Sequence, residues 1–435
     1  MMMAMKEKLK RTLTLFDTTL AGIGIIVGAG IYAIIGEAAG IVGNSIWLSF
    51  LIGAIVAGIT ALSYAELSSL FPKAGAEYVY ARRSFGNRIA FVVNWLLVLG
   101  TVFSVATVSL GFASYLNYFV SIPYFISAAL IIIVFTLLNI YGIKESILVA
   151  NLGSLVEILG LVIIIVFGLP YLITELGNIN YLELPPESHP SVLFLGASLL
   201  FFAFLGFESI PRLAEETKDA TRIIPKALLL SLIISTILYI LVAMVAVSVV
   251  NWEELAVSDA PLAIVAEKLL GSEIGVVLAL IALFATANTV LIMLITTTRL
   301  LYGLGEGGQG FRRLGEVSAK RRTPWIAALV LGVLSLIAVS REDIKFVAYS
   351  ADFTTFFVFG TINLAVVWFR YTQPWLKPGF RVPNILGLPL LPMLGAASCI
   401  LLALTSSIES IVLGLALTII GFVVYEVLKK LKFVD

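Results

Sequence analysis

The 435-residue sequence predicts an all-α integral membrane protein of twelve transmembrane helices, and three observations carry that reading. The first is composition: 60% of residues are apolar and only 13% charged. Soluble domains carry about 25% charged residues, so this chain lacks the polar surface to cover a water-soluble body of its size. The second is a series of twelve apolar windows, each near the about 20 residues a helix needs to cross hydrocarbon. The third is an asymmetry of charge. Of 28 Lys and Arg residues, 25 fall on alternate connections, leaving Lys268, Arg341 and Lys345 on the other side. By the positive-inside rule both termini, 1–13 and 429–435, are expected in the cytoplasm, and the cell (cytoplasmic) membrane is the expected location.

The windows run in order over 14–36, 43–68, 88–116, 124–143, 147–173, 191–213, 225–250, 274–302, 324–340, 346–370, 387–405 and 408–428. Their apolar residues follow a helical period, and backbone bonds must close internally in lipid, so helices are expected and a barrel is not. The first window follows Lys6, Lys8, Lys10 and Arg11 in the manner of a secretory signal, but it is too long and offers no small-residue cleavage site, so it reads as a retained span. The connections are short, and the side opposite the basic loops collects Glu175, Glu183, Glu187, Glu253, Glu254 and Asp259.

Several function classes are disfavoured at once. A formal net charge of +1 gives nucleic acid no electrostatic footprint. A single cysteine, Cys399, and a single histidine, His189, exclude a disulfide framework and paired-histidine zinc chemistry, so no metal or cofactor is expected. They also leave a membrane-embedded enzyme short of nucleophile and base. Gly305-Glu306-Gly307-Gly308-Gln309-Gly310 fits G-x-G-x-x-G but follows a helix where a dinucleotide site needs a strand. No Walker-type phosphate loop occurs, so uphill work must draw on a gradient.

Two windows carry unusual chemistry. Span 1 holds Gly22, Gly24, Gly28 and Gly30 at mid-membrane, where each glycine costs about 1 kcal/mol relative to alanine. The cluster fits either a break in the helix or close packing through Gly24-x-x-x-Gly28. Span 6 places Gly206 and Glu208 after Phe201-Phe202-Ala203-Phe204-Leu205, and an intramembrane carboxylate is expensive unless it faces a cavity or partner. Spans 1 and 6 stand five apart, the offset of two five-helix halves related by inverted symmetry. In such carriers half-helix amino ends hold a carboxylate and unwound carbonyls hold a cation. An α-amino acid bears both charges.

These residues resemble the amino acid, polyamine and organocation (APC) transporter superfamily. The resemblance runs in order through the span 1 glycines, Ser63-Tyr64-Ala65-Glu66-Leu67 with Phe71-Pro72-Lys73-Ala74-Gly75-Ala76-Glu77-Tyr78-Val79-Tyr80, Gly206-Phe207-Glu208 running to Pro225, and Thr298-Arg299-Leu300-Leu301-Tyr302. It implies a leucine-transporter-type five-plus-five repeat, with halves at 14–173 and 191–370, broken helices 1 and 6, and two extra spans at 387–428. It also implies alternating access around one midplane site. The Gly28, Ala29 and Gly30 amides would take the substrate carboxylate. The carbonyl of Ile26 and those near Phe202 and Leu205 would take the ammonium, with Phe202 or Phe207 as an aromatic gate; packing alone accounts equally well for any one ring.

Glu208 reads either as a protonation-sensitive link from span 6 to its neighbours or as a static strut. Glu157 departs from the family: proton-coupled relatives resemble the chain at Leu155, Val156 and Leu159 but place lysine where Glu157 stands. A carboxylate there would carry the proton itself, bind sodium with Asn288 or Thr289, or pair with a cation on the substrate; the purely structural alternative is a pairing with Arg299. Asp352 is expected near an outer gate with Lys345 or Arg341. Arg212, Glu215, Glu216, Lys218, Asp219 and Arg222 are expected to form an ion-pair network locking the inner side. The function expected is a secondary transporter of amino acids, by proton symport or else by exchange or sodium coupling, bathed in membrane lipid. A non-transporting sensor or accessory subunit of the same fold is the alternative.

Overall fold

In hydrocarbon a backbone amide finds partners only within protein, and the chain answers with helices. A computed structural model describes residues 11–72, 76–142, 146–175, 178–306, 311–318, 321–431 and 433. Along these residues lie α1 (Leu15–Val27), α2 (Gly30–Val42), α3 (Ile46–Leu70), α4 (Ala76–Phe85), α5 (Asn87–Asn117), α6 (Tyr124–Tyr141), α7 (Ser146–Glu175) and α8 (Val192–Leu200). They continue as α9 (Ala220–Val249), α10 (Trp252–Val257), α11 (Pro261–Leu270), α12 (Ser272–Glu306), α13 (Trp325–Val339), α14 (Ile344–Thr372), α15 (Leu390–Thr405) and α16 (Ile408–Lys430). Two 3₁₀ segments, Phe201–Phe204 and Phe207–Glu215, fill the stretch between α8 and α9.

Nine helical stretches among the described residues are long and apolar enough to cross a membrane, and Leu15–Val27, Trp325–Val339 and Leu390–Thr405 are shorter apolar helices. The difference from twelve full-length spans has local causes. The first window divides at Val27, and its second half runs on through a tight turn into α3, so Gly30–Leu70 forms one 41-residue stretch. The windows at 324–340 and 387–405 shrink because Pro324 and Pro389 stand as the N-caps of α13 and α15.

The lipid face is read from exposed apolar stripes at helical spacing. Leu130, Ile133 and Leu137 of α6 are exposed, as are Leu329, Val333 and Ile337 of α13 and Val412, Ile419 and Val423 of α16. By contrast α2, the 3₁₀ segment Phe201–Phe204 and the middle of α14 are buried. The segments that follow the first break and precede the second, α2 and Phe201–Phe204, therefore sit among other helices, while α1 exposes Phe16, Leu20 and Ile25.

One end of the molecule is tied by its backbone. The amides of Thr12 and Leu13 donate to the Glu216 carbonyl at 2.9 and 3.1 Å, and the Lys218 amide donates to the Leu13 carbonyl at 3.0 Å. At this end Arg212 bonds Glu77 of α4 at 3.1 Å, while Arg222 pairs only with Asp219 of its own turn, at 3.8 Å. The expected charge network is thus narrower than the sequence suggested: Arg212 alone of that cluster has an ion pair with α4 among the described residues. Deeper in, Glu66 of α3 takes a two-pronged contact from Arg370, at 2.8 and 2.5 Å, plus the Val382 amide at 2.7 Å. At the opposite end Asn44 donates to Glu183 at 3.2 Å and Trp47 to the Tyr181 carbonyl at 2.8 Å.

Candidate functional site

α1 stops at Val27 and α2 starts at Gly30, leaving Gly28 and Ala29 between them. The Gly28 amide still donates to the Gly24 carbonyl at 3.4 Å, closing α1. The Ala29 amide has left the helical pattern and donates to the Thr289 hydroxyl of α12 at 3.3 Å. Of the amides expected to hold a carboxylate, one is thus held by a side chain that a competing acceptor can displace.

The second interruption is longer. α8 gives way at Phe201 to a 3₁₀ turn, Gly206 follows Leu205 with φ +123°, and the chain continues as a 3₁₀ helix of nine residues containing Pro211. Runs of 3₁₀ beyond 3–4 residues are uncommon. Gly206 cannot be replaced quietly: a Cβ there would lie 2.7 Å from the Ile25 carbonyl oxygen, and its φ is one that side chains disfavour. A Cβ on Gly30 would come within 2.8 Å of the Ala203 Cα. Gly30 and Gly206 therefore bring the two backbones into contact, whereas a Cβ on Gly28 would have ordinary room, its nearest neighbour the Thr289 hydroxyl at 3.6 Å.

Tyr239 of α9 bridges the two. Its buried hydroxyl lies 2.8 Å from the Ile26 carbonyl oxygen and 2.8 Å from that of Ala203. A phenol has one proton to give, so two carbonyls share one donor. The Phe202 carbonyl is engaged locally by the Leu205 amide at 3.2 Å, and the carbonyl that faces Ile26 is that of Ala203. Tyr239 was missed in the sequence because nothing distinguishes one tyrosine in an apolar helix from its neighbours; its partner atoms are backbone oxygens.

Beside the first break stands Glu157, buried on α7. Its carboxyl is hydrogen-bonded by Asn288 of α12, and its Oε1 has no partner in hydrogen-bonding geometry. Tyr32 of α2 donates to the Glu157 backbone carbonyl at 2.8 Å. Gly153 and Gly160 open room for these contacts, since a Cβ on them would meet Asn288 Nδ2 at 2.4 Å and Tyr32 Oη at 2.6 Å. Arg299 is exposed and does not reach Glu157. Glu208 is half-buried, and its Oε2 accepts the Gly206 amide at 2.8 Å, so it ties down the turn at the second interruption.

Rings close the site. Phe207 packs edge-on against Tyr64, centroids 5.8 Å apart, and against Phe359 at 5.1 Å. Phe204 meets Tyr239 at 5.3 Å and Phe201 meets Phe356 at 4.7 Å. Phe202 is buried and Leu205 half-buried. Asp352 of α14 is not where its expected partners are. Lys345 pairs with Glu37 at 2.9 Å and Arg341 with Glu409, while Asp352 lies fully buried. The glycine-rich motif at 305–310 does not form a nucleotide loop in its described part: α12 runs through Gly305 to Glu306, and Gly307–Gly310 lie outside the described residues.

Comparisons with known proteins agree with this architecture. The amino acid permease family model matches residues 13–427. The chain is similar to the branched-chain amino acid permease BcaP of Bacillus subtilis (strain 168), at 30% identity over 97% of this chain and 93% of that protein. It is 28% identical to the methylthioribose transporter of the same organism, over 91% of this chain and 88% of that one. It is also 28% identical to the vacuolar cationic amino acid transporter 4 of Arabidopsis thaliana, over 85% of this chain and 64% of that longer protein.

Proposed function

The chain belongs to the amino acid permease family, and from that premise we propose that it is a secondary active transporter of α-amino acids, coupled to proton symport and working by alternating access. α1 to α7 form the first half of a five-plus-five inverted repeat, α8 to α14 the second, and α15 and α16 the two added spans. Both termini lie in the cytoplasm. The observation that carries the reading is the shared proton of Tyr239. Two carbonyls from two interrupted helices converge on one donor, and an ammonium supplies the donors they lack. The carboxylate of the same substrate takes the amides of Ala29 and Gly30 and, once it leaves the Gly24 carbonyl, that of Gly28, displacing the Thr289 hydroxyl from Ala29. Phe202 and Phe207 close over it.

Glu157 carries the proton. Its neutral form suits a buried carboxyl with one unpartnered oxygen, and it stands one residue contact from the break through Asn288 and Thr289. The oxygens of Asn288 and Thr289 also favour a second reading, sodium bound beside Glu157. Reconstituted protein tests both. Labelled amino acids are offered to liposomes with an inward proton gradient, an inward sodium gradient, or neither. Accumulation driven by the proton gradient is expected. Accumulation only with sodium selects the second reading, and neither accumulation nor exchange of any amino acid removes the transporter reading.

A further inference from the structure

Asp352 has no role in the scheme above, yet it is among the least comfortable groups in the molecule. It is fully buried on α14, it faces the backbone amide of Phe202, and neither of its carboxylate oxygens has a partner in hydrogen-bonding geometry. Its surroundings offer no counter-charge. On its own helix, Tyr349 donates to the Leu195 carbonyl at 3.3 Å and Lys345 is held by Glu37 of α2. α8, the Phe201–Phe204 segment and α15 contain no charged residue. Of the remaining elements packed on α14, α3 gives Glu66 to Arg370, α4 gives Glu77 to Arg212 and Arg83 to the Phe71 ring, while Arg82 bonds Asn87 of α5. At the two ends of α16, Glu409 takes Arg341 and Glu426 takes Arg88 of α5, while Lys429 and Lys430 are exposed in its last turn. An ionised carboxylate so placed is costly unless neutralised.

Its position is not arbitrary. Under the five-plus-five relation, on which this inference rests, α7 corresponds to α14, the first break to the second, and α12 to α5. Glu157 of α7 stands between the first break and α12. Asp352 of α14 faces the second break, at Phe202, and its neighbours Ala351 and Thr354 lie against α5, their carbonyl and hydroxyl 3.8 and 2.6 Å from where a Cβ on Gly100 would stand. Apart from Glu208, which is half-buried and already bonded to the Gly206 amide, each half therefore sets one fully buried carboxylate against the interruption of its own first helix. Lys345, Tyr349 and Asp352 follow at i, i+4 and i+7, one face of α14 leading from the half-exposed Lys345–Glu37 pair inward.

We infer that Asp352 is a second proton-binding site, the symmetry mate of Glu157, reached along the α14 face from the end that holds the Lys345–Glu37 pair. A metal cation fits poorly there, because it needs several oxygens and the neighbour Asp352 faces is an amide donor. The step is a simple protonation: the carboxylate takes one proton from water at that end and returns it when the site opens to the other.

Counterflow exchange of a mixture of the twenty tritiated amino acids in liposomes tests this, with pH varied on both sides together. Two protonation sites predict that wild-type exchange at limiting substrate falls about a hundredfold per pH unit above both midpoints, and about tenfold per unit in Asp352→Asn or Glu157→Gln. A wild-type fall of only tenfold per unit overturns the second site, whether or not the variants fold. So does an Asp352→Asn profile as steep as wild type. Dependence on sodium in place of pH overturns the proton at this site. Absence of any exchange by the wild type at every pH instead strikes the carrier reading itself, so the two failures are told apart.

Discussion

The two interruptions at the centre of this molecule are built by different means. The first spans two residues, is closed on the α1 side by an ordinary helical bond, and is held by the Ala29 amide donating to Thr289 of α12 and by Tyr239 of α9 donating to the Ile26 carbonyl. The second spans some fifteen positions of 3₁₀ and extended backbone, is walled by Phe201, Phe204, Phe207, Phe356 and Phe359, and turns on a glycine with positive φ. Directional bonds fix atoms in place, whereas ring packing tolerates sliding. Under the proposed function the contrast makes the first the binding platform and the second, although Tyr239 and Glu208 also bond to it, the moving closure.

The sharpest way to break that contrast is at the glycines. Gly206→Ala meets both a strained φ and the Ile25 carbonyl at 2.7 Å, whereas a Cβ on Gly28 finds the Thr289 hydroxyl at a comfortable 3.6 Å. Strained backbone of this sort costs about 1–3 kcal/mol, so Gly206→Ala is expected to depress transport up to about a hundredfold and lower the melting temperature. Gly28→Ala should be much milder in both. Equal losses would erase the distinction. Next in size, Glu157→Gln is expected to abolish gradient-driven accumulation, a loss of at least about tenfold, while counterflow exchange survives. Loss of exchange as well would make Glu157 part of the platform and not of the coupling. Tyr239→Phe removes the donor shared by Ile26 and Ala203; at about 1–1.5 kcal/mol for a hydrogen bond, KM should rise roughly five- to tenfold with little change in turnover. The smallest effect is expected from Thr289→Val, about two- to threefold in KM, because the hydroxyl is displaced by substrate. A larger KM effect from Thr289→Val than from Tyr239→Phe would reverse which contact matters more.

The sequence made the fold largely legible, because the bilayer imposes one length and one polarity on every span. Each predicted window holds a helix, and the windows that came out short are capped by Pro324 and Pro389 or divided at Val27. The site was legible to the extent that it depends on residue type. Glycines and intramembrane acids announce themselves, which is how Glu157, Asn288 and Thr289 were singled out. Tyr239 and the Ala203 carbonyl were not, since their chemistry arises from where two backbones meet. Asp352 was judged from its distance to the end of its helix and given Lys345 and Arg341 as partners. Both cations found acids closer to the surface, Glu37 and Glu409, and only packing reveals which way a helix faces.

The nine-residue 3₁₀ stretch from Phe207 to Glu215 has a mechanical meaning. A residue rises about 2.0 Å in a 3₁₀ helix and about 1.5 Å in an α-helix, so recoiling this segment shortens it by roughly 4.5 Å. Pro211 has no amide proton to contribute in either form, so neither form gains a bond over the other at that position. The stretch is anchored at Gly206 and runs toward Glu216, whose carbonyl is tied to Thr12 and Leu13, so a change of that length would be felt at the segment that precedes α1.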